Sequence, residues 1–253
     1  MLSRAAYARA DSLAAMRGTI VTLGGGGFLM SPDGSSAIDD HLLTLAPANG
    51  RDVPRVCFVP TASGDAATAI QRFEAAFPPE RAEASVLSLF NMSPHGYQDP
   101  AMLLEQDVVY VGGGSTANLL TLWRAHGLPD VLAQAAATGT VLAGISAGMN
   151  CWFEASSTDS FGALAPLNDG LAFLPGGACP HYLSEPRRRE KLLEWVATGA
   201  LPETLALDDG AAAVWVDGTL RRVVAERDGA VAARVVQDAD GSAREELLGV
   251  TRL

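Results

Sequence analysis

Short apolar runs alternate with glycine-rich turns and helical patterns along the chain up to residue 150. The apolar runs predict buried strands over residues 17–23, 55–60, 84–89, 107–111 and 140–143. Apolar residues recur at the three- and four-residue spacing of a helix over residues 39–45, 66–76, 117–126 and 131–137. This alternation predicts an α/β fold, a doubly wound and mostly parallel sheet with helices on both faces.

The pattern changes after residue 200, where short β-type runs predominate. They cover residues 205–207, 212–216, 219–224 and 231–237, with Asp-Gly dipeptides at 209–210, 217–218 and 228–229. Two of these dipeptides predict hairpin turns. With no internal repeat and no linker, residues 16–253 are interpreted as one domain with a C-terminal β-rich extension. Residues 1–15 are set apart as an N-terminal extension, which is open between a short helix, a disordered tail and an over-long reading frame.

The composition is that of an ordinary soluble protein, with 48% hydrophobic and 19% charged residues. A net charge of −11 argues against nucleic acid or an anionic membrane as a partner. No apolar stretch is long enough to cross a membrane, and the first residues lack the apolar centre of a secretory signal. Three cysteines without metal-binding spacing favour a reducing cytoplasm and predict neither disulfides nor a zinc site.

The apolar run at residues 140–143 continues into Gly-Ile-Ser-Ala-Gly at residues 144–148. This pattern after a buried strand is typical of a nucleophile elbow, a sharp strand-to-helix turn that presents the serine, here Ser146. The N–H groups after the serine lie at a helix N-terminus, where positive partial charge favours an oxyanion. The competing interpretation is a small-residue turn without chemistry, and these five residues alone do not decide between the two.

A nucleophilic serine needs a general base, and histidine is the usual one. Of the four histidines, His41 and His126 fall on predicted helices and His95 in a Pro/Gly turn, which favours surface positions. His181 follows a Cys-Pro dipeptide in a predicted loop and is the only histidine beyond the serine, so it is the leading candidate. The long stretch after His181 argues against an α/β-hydrolase, whose histidine normally lies near the chain end.

The acid partner has four candidates, Asp159, Asp169, Asp208 and Asp209. Asp208 and Asp209 end a predicted strand, where active-site side chains of α/β sheets collect, although Asp-Gly is also a common turn dipeptide. Asp159 lies in a predicted loop, where it would hold a substrate ammonium group or cap a helix. No His, Cys and acidic residues have the spacing of a metal site, so no metal is expected.

Two glycine runs also follow predicted strands. Gly113, within the run at residues 112–114, is a candidate for a second oxyanion N–H donor beside that of Ala147. Such a turn would equally cradle a phosphate, but this run lacks the P-loop lysine and the run at residues 24–27 lacks the dinucleotide fingerprint. Nucleotide binding is therefore the weaker interpretation, and no cofactor is expected.

The chain resembles the peptidase E family of serine peptidases, which includes the cyanophycinases, in residues 23–28, 111–116, 144–148, 179–182 and 207–210. The resemblance covers about residues 17–225. It implies a doubly wound sheet like that of class I glutamine amidotransferases, with serine in place of cysteine at the elbow. It also implies Ser146 as nucleophile, His181 as base and Asp209 as the acid that orients His181. Gly113 and Ala147 match the oxyanion positions.

Substrate recognition follows less directly from the resemblance. The peptidase members have glutamate where this chain has Asp209, a side chain shorter by one methylene group. The family's aspartyl dipeptidases need a cation for the N-terminal aspartate of the substrate. Arg187, Arg188 and Arg189 are candidates for that role, with Asp159 as a further substrate contact. The alternative for the three arginines is a solvated helix face.

The expected function is that of a cytoplasmic serine exopeptidase acting on short peptides, with dipeptides that carry N-terminal aspartate as candidates. A carboxypeptidase or a cyanophycinase-like hydrolase on the same scaffold is the enzyme alternative. A non-catalytic binding protein of amidotransferase-like fold is the alternative from another class. The expected partner is a short peptide, without nucleic acid or membrane, and a homodimer is left open.

Overall fold

The computed structural model describes residues 17–47 and 49–253, so the predicted N-terminal extension at residues 1–15 lies outside the described residues. The strands are β1 Thr19–Leu23, β2 Arg55–Val59, β3 Glu83–Val86, β4 Val108–Val111, β5 Val141–Ile145, β6 Phe153–Thr158, β7 Ala165–Leu167, β8 Leu174–Cys179, β9 Thr204–Leu207, β10 Ala211–Val216, β11 Thr219–Ala225, β12 Ala232–Gln237, β13 Ala243–Leu247 and β14 Val250–Arg252. The helices are α1 Gly27–Met30, α2 Ala37–Leu45, α3 Ala67–Ala76, α4 Thr116–Ala125, α5 Leu128–Ala137, α6 Ala147–Asn150 and α7 Arg188–Ala197, with 3₁₀ turns at Thr61–Ser63 and Pro100–Glu105. The predicted α/β fold class is confirmed, and the elements predicted up to residue 150 are present with ends shifted by a few residues.

Within the described residues, the larger sheet has eight strands in the order β14-β11-β10-β1-β5-β4-β2-β3. The neighbours from β1 to β3 pair in parallel. On the other side of β1, β10 pairs antiparallel with β1 and β11 antiparallel with β10. The carboxyl ends of β1, β5, β4 and β2 therefore lie at one edge, where α/β sheets collect functional side chains.

The sequence patterns did not predict a second sheet. In the part of the chain that the structure describes, this sheet has six strands in the order β13-β12-β9-β8-β6-β7. Its central strands β6, β8 and β9 run parallel, and the outer pairings are antiparallel. The β-rich character predicted after residue 200 is confirmed by β9 to β14, but the expectation that these strands form an extension is corrected, because they are not an appendage. β10 lies inside the larger sheet beside β1, while β9 and β12 are internal strands of the second sheet.

Alternate residues of the second sheet face two different cores. Phe153 and Leu205 pack in the core that the second sheet shares with the larger sheet and with α4 and α5. Ala206, the next residue along β9, faces the opposite way and packs with Trp195 of α7. The other face of the larger sheet is covered by α1, α2 and α3 around an aromatic cluster that includes Phe58. Burial on both faces explains why the central parallel strands β5 and β4 are wholly apolar, whereas the edge strand β3 includes an exposed polar residue.

Local sequence sets where two of the covering helices begin. The side chain of Ser36 accepts a hydrogen bond from the N–H of Asp39 at the start of α2, and Ser115 accepts one from Asn118 at the start of α4. Each serine thereby satisfies one of the N–H groups that a helix leaves without a partner in its first turn. Among the described residues, no helix combines the length and the apolar content needed to span a bilayer.

Candidate active site

Ser146 lies in the turn between β5 and α6 and has a strained backbone. Its φ of 57° and ψ of −113° are rare for a residue with a side chain and are typical of a nucleophile elbow. The flanking glycines permit close packing of the turn. A Cβ on Gly144 would lie 2.1 Å from the carbonyl oxygen of Gly148, and a Cβ on Gly148 would lie 2.4 Å from that of Val111. The turn therefore presents the Ser146 hydroxyl beyond the carboxyl end of β5.

A continuous line of hydrogen bonds joins Ser146, His181 and Asp209. The Oγ of Ser146 lies 2.9 Å from Nε2 of His181, and Nδ1 of the same ring lies 2.6 Å from Oδ1 of Asp209. Ser146 follows β5, His181 follows β8 and Asp209 follows β9, so three strand ends each contribute one group. Of the four candidate acids, Asp209 is the one that the described structure brings to the imidazole.

The surroundings of Asp209 favour its ionised form. Burial alone would raise the pKa of this carboxyl group, but the hydrogen bond and the charge of His181, with smaller contributions from Ser184 and Arg227, outweigh burial and lower the pKa. A carboxylate here accepts the Nδ1–H of the imidazole, which leaves Nε2 as the proton acceptor that faces Ser146. The arrangement is therefore able to activate the serine hydroxyl.

The glycine run at residues 24–27 supports the loops that carry His181 and Asp209. The N–H of His181 donates to the carbonyl of Gly24 at 3.1 Å, and the N–H of Gly210 donates to the carbonyl of Gly25 at 3.0 Å. A Cβ on Gly25 would lie 2.0 Å from Oδ1 of Asp209 and 3.0 Å from Nδ1 of His181. Sequence reasoning missed this role, and its only signal was the position of the run directly after β1.

Ser184, Asp208 and Arg227 hold the loop that carries Asp209. Nε of Arg227 donates to the carbonyl oxygen of Asp209 at 2.5 Å, and its Nη2 lies 3.3 Å from Oδ2 of Asp208. The hydroxyl of Ser184 donates to the Asp208 carboxylate and accepts a bond from the N–H of Asp209 at 3.3 Å. Asp208, one of the candidate acids, therefore fixes the loop and does not contact the imidazole.

Two backbone N–H groups lie beside Ser146. Ala147 is the first residue of α6, where the helix itself offers the N–H no acceptor. Gly113 follows β4, and a Cβ on it would lie 3.2 Å from Cβ and 3.7 Å from Oγ of Ser146. Within the described part of the chain, the N–H of Gly113 has no hydrogen-bond acceptor. N–H groups placed in this way are able to stabilise negative charge on a reacting oxygen.

An apolar pocket, here called the Ser146 pocket, opens beside the serine and the histidine. Its cavity volume is about 230 Å³. The lining residues are Leu29, Met30, Phe58, Ser63, Ala69, Gly112, Gly113, Ile145, Ser146 and His181. Apart from the imidazole, none of the described residues in this lining has a titratable side chain.

The structure does not bring two of the predicted arginines to the Ser146 pocket. Arg188 is buried and pairs with Glu185 at 2.5 Å, and the exposed Arg189 pairs with Glu245. Carboxylates of the chain itself therefore pair with both guanidinium groups, and this geometry gives no support to the substrate-binding role expected for Arg188 and Arg189. The alternative of a solvated helix face fits Arg189 and does not fit the buried Arg188.

The remaining candidates take different positions. Asp159 is exposed in the loop after β6, and Arg187 is exposed where α7 begins. Asp169 pairs with Arg124 at 2.7 Å, which leaves its carboxylate to a surface ion pair. The other histidines are partly exposed: His41, His95 and His126. In residues 17–47 and 49–253, no three His, Cys or acidic side chains are grouped as metal ligands would be.

The sequence and the fold match known peptidases. A sequence profile of peptidase family S51 matches residues 20–223. Uncharacterized peptidase YgaJ of Bacillus subtilis (strain 168) is 45% identical over 217 residues, which cover 86% of this chain and 91% of that protein. Peptidase E of Shewanella denitrificans is 28% identical over 153 residues, 56% of this chain and 65% of that one. A solved peptidase from an acI-B1 Actinobacterium shares the fold, with a TM-score of 0.67 at 16% identity over 94% of this chain and 96% of that chain.

These similarities decide between the classes of protein that the sequence left open. The family profile spans well over half of the chain, and the similarity to YgaJ extends over most of both proteins. Membership of a peptidase family sets aside the non-catalytic binding protein. The chain belongs to peptidase family S51, the peptidase E family, and is a serine-type peptidase.

Proposed function

We propose that this chain is a serine exopeptidase that hydrolyses short peptides through an acyl-enzyme intermediate on Ser146. The observation that carries the proposal is the line of hydrogen bonds from Ser146 through His181 to Asp209, at 2.9 and 2.6 Å. The strained elbow at Ser146 and the two backbone N–H groups beside it support the same reading. Together they supply a nucleophile, a base, an acid that orients the base, and donors for an oxyanion.

Each group has a defined step in the proposed reaction. Nε2 of His181 takes the hydroxyl proton as Ser146 attacks the scissile carbonyl carbon, and Asp209 stabilises the imidazolium that forms. The N–H groups of Gly113 and Ala147 donate to the carbonyl oxygen as it becomes negative. His181 then gives the proton to the leaving amine. A water molecule, activated by the same imidazole, attacks the acyl-enzyme and releases the acid product.

The size of the Ser146 pocket supports a small substrate. Its volume of about 230 Å³ lies below the ~300–1,000 Å³ of pockets that enclose drug-sized ligands. It accommodates one side chain of a short peptide better than the branched polymer of a cyanophycinase-like enzyme. The carboxypeptidase alternative uses the same Ser146, His181 and Asp209 and differs in which end of the peptide is held.

The proposal also includes a relation to a known fold and a cellular compartment. The parallel order β1-β5-β4-β2-β3, with the serine after β5, supports a relation to the class I glutamine amidotransferase fold. The buried thiols of Cys57, Cys151 and Cys179 are all unpaired, which supports a reducing cytoplasm as the site of action.

A library of short peptides tests the proposal directly. The peptides are supplied free, with an acetylated N-terminus, with an amidated C-terminus, or blocked at both ends, and mass spectrometry identifies the products. We expect the wild-type enzyme to cleave free peptides and the Ser146→Ala variant to cleave none. Loss of cleavage on acetylation indicates a requirement for the free amine, and loss on amidation indicates a carboxypeptidase. Cleavage of doubly blocked peptides, or activity that survives Ser146→Ala, would contradict the proposal.

A further inference from the structure

The wall of the Ser146 pocket and the imidazole of His181 lie on different sides of Ser146. β5, which leads to Ser146, lies between β1 and β4 in the larger sheet. The imidazole reaches Ser146 from the β1 side, because the N–H of His181 is bonded to Gly24 at the end of β1. Gly112 and Gly113 follow β4, and Phe58 lies on β2, so this wall of the pocket lies on the other side of Ser146.

This arrangement determines which part of a peptide enters the pocket. The leaving amine must face His181, since Nε2 is the atom that returns the proton to it. The carbonyl oxygen lies against the N–H groups of Gly113 and Ala147. The third substituent of the carbonyl carbon, which carries the acyl-side residue, is then directed to the side of Gly112 and Phe58. The acyl-side side chain is therefore the occupant that fits the geometry.

The lining of the pocket defines the chemistry of that side chain. Phe58 and Ile145 form buried walls, and Leu29, Met30 and Ala69 add apolar surface. Apart from His181, no lining residue among those the structure describes has a titratable side chain. A carboxylate here would lose its hydration without gaining an arginine or lysine partner from the described lining, which is unfavourable.

Three arginines outside the lining have hydrogen-bond partners within the chain. Arg72 lies one turn along α3 from Ala69, but its Nη1 donates to the carbonyl oxygens of Leu29 and Ser31 at 3.3 and 3.2 Å. Its guanidinium therefore caps the end of α1. Arg188 and Arg189, which the sequence offered as a grip for a substrate carboxylate, are paired with glutamates.

We propose that the Ser146 pocket binds the side chain of the residue that supplies the scissile carbonyl, and that it selects leucine, methionine or phenylalanine over aspartate. The inference rests on the proposed peptidase reaction at Ser146. It replaces the expectation of dipeptides with N-terminal aspartate.

A substrate series with one variable residue tests the preference. The peptides X-Ala and acetyl-Ala-X-Ala, with X as leucine, methionine, phenylalanine, alanine, aspartate or lysine, cover both exopeptidase modes. We expect kcat/KM for leucine, methionine and phenylalanine to exceed that for aspartate and lysine by roughly tenfold or more. A higher kcat/KM for aspartate than for leucine would overturn the pocket assignment and leave the proposed hydrolysis intact.

A pair of variants on α3 locates the preference in the pocket. Ala69→Phe adds a ring at a lining position, whereas Ala67→Phe adds the same ring at an exposed position of the same helix, outside the lining. We expect Ala69→Phe to lower kcat/KM for the phenylalanine substrate roughly tenfold while the alanine substrate changes little. Ala67→Phe should leave both values near those of the wild type. Equal losses on both substrates with Ala69→Phe would count against the assignment.

Binding of boronic acids tests the side-chain preference of the pocket independently of peptide hydrolysis. Aminoalkyl boronic acids with the side chain of leucine or of aspartate form tetrahedral adducts with an active-site serine, and inhibition or calorimetry measures their affinity. Tighter binding of the leucine analogue supports the pocket assignment even if no peptide of the series is cleaved, an outcome in which the proposed function fails alone. Equal or tighter binding of the aspartate analogue would overturn the pocket assignment.

Discussion

At the scale of single residues, the site combines backbone strain with a short acid. Ser146 and His181 both have left-handed φ values, 57° and 53°, which are uncommon outside glycine and tend to collect at functional sites. Asp209 brings its short side chain to 2.6 Å from the imidazole. Gly25 leaves room for this contact, because it has no Cβ in the space that the carboxylate occupies.

Replacing Asp209 by asparagine tests the role of the acid. Asparagine keeps the size of the side chain but does not stabilise the imidazolium or fix the tautomer, so we expect Asp209→Asn to lower kcat by about 10⁴-fold. The exposed Asp159 provides the control, since Asp159→Asn should leave kcat near the wild-type value and act on KM if that carboxylate holds a substrate ammonium. Steady-state kinetics on one cleaved peptide measures both effects. A near-normal kcat in Asp209→Asn would exclude the acid role.

At the scale of elements, the turn after β1 connects the fold to the site. The carbonyls of Gly24 and Gly25 accept bonds from the histidine loop and from the acid loop. Farther along the turn, the N–H of Gly27 donates to Glu226 at 3.1 Å, and that of Phe28 donates to Asp39 at 2.6 Å. The glycine run is therefore held on one side by the side chains of the buried Asp39 and the partly exposed Glu226, and it supports the imidazole and its acid partner on the other.

Adding one methyl group to the turn tests this support. Gly25→Ala places a Cβ in contact with the carboxylate of Asp209, so we expect a large fall in kcat with the fold retained in circular dichroism. Gly249→Ala is the matched control, because a Cβ on this exposed glycine meets nothing within 4 Å. Activity of Gly25→Ala equal to that of the control would show that the turn does not position the acid.

Asp39, in the same region, makes the stability of the fold depend on pH. Burial raises the pKa of Asp39 to about 7, and the nearby Glu226 adds to the effect, against the lowering effect of the hydrogen bond from Phe28. The contribution of the neutral Asp39 carboxyl group to the free energy of unfolding has its full value below the unfolded-state pKa of about 4. That contribution is lost as the pH rises through about 7.

Asp39→Asn should make stability less dependent on pH. Asparagine is neutral at every pH and still accepts a bond from Phe28, so the variant should lose less unfolding free energy than the wild type between pH 5 and 8, by roughly 3 kcal/mol. Urea unfolding at a series of pH values measures the difference. Asp40→Asn, at the exposed neighbouring position, should follow the wild type. Identical pH slopes for Asp39→Asn and the wild type would contradict the assignment.

The elements that sequence reasoning found and missed differ in physical character. The central strands of the larger sheet, β1, β5, β4 and β2, are mostly apolar runs buried on both faces, and such runs are read directly from the sequence. β8 is Leu-Pro-Gly-Gly-Ala-Cys, whose proline and glycines predict a loop. Its Gly177 packs against β9 so closely that a Cβ would lie 2.3 Å from the Thr204 hydroxyl. Only the tertiary contact explains that glycine, so the strand could not be predicted locally.

The residues of the candidate site also divide into those with a local sequence signal and those that only tertiary contacts reveal. Ser146, His181 and Asp209 lie just after strands. The sequence indicates them through the elbow motif, the lack of another histidine after the serine, and the position of the acid at a strand end. The support by Gly25 and Arg227 joins segments far apart in the sequence, and no local pattern encodes such contacts. The pairing of Arg188 with Glu185 was equally hidden, although the two residues are close in the chain, because it depends on the burial of Arg188.

At the scale of the whole molecule, two sheets cooperate to build one site. The larger sheet contributes Ser146 after β5 and the glycine turn after β1, and the second sheet contributes His181 after β8 and Asp209 after β9. The core that the sheets share holds Leu207 of β9 and Ala147 of α6 in one apolar cluster. The geometry of the reacting groups therefore depends on the packing between the sheets.

Because the site consists of serine, histidine and aspartate, we expect the peptidase activity to be insensitive to metal chelators. Activity after exhaustive dialysis against EDTA should equal that of an untreated sample, because each proposed step uses a side chain or a backbone N–H. Adding zinc to the dialysed enzyme should give no increase. Loss of activity with EDTA, followed by recovery with zinc, would contradict the proposed mechanism.

The central claim, that Ser146 is a nucleophile activated by His181, is tested most directly with a fluorophosphonate probe. Such probes phosphonylate activated serines, and peptide mapping by mass spectrometry locates the adduct. We predict one adduct on Ser146 in the wild type, none in Ser146→Ala, and a strongly slowed reaction in His181→Ala, with all three proteins folded. An adduct on another residue, or peptidase activity undiminished in Ser146→Ala, would contradict the claim.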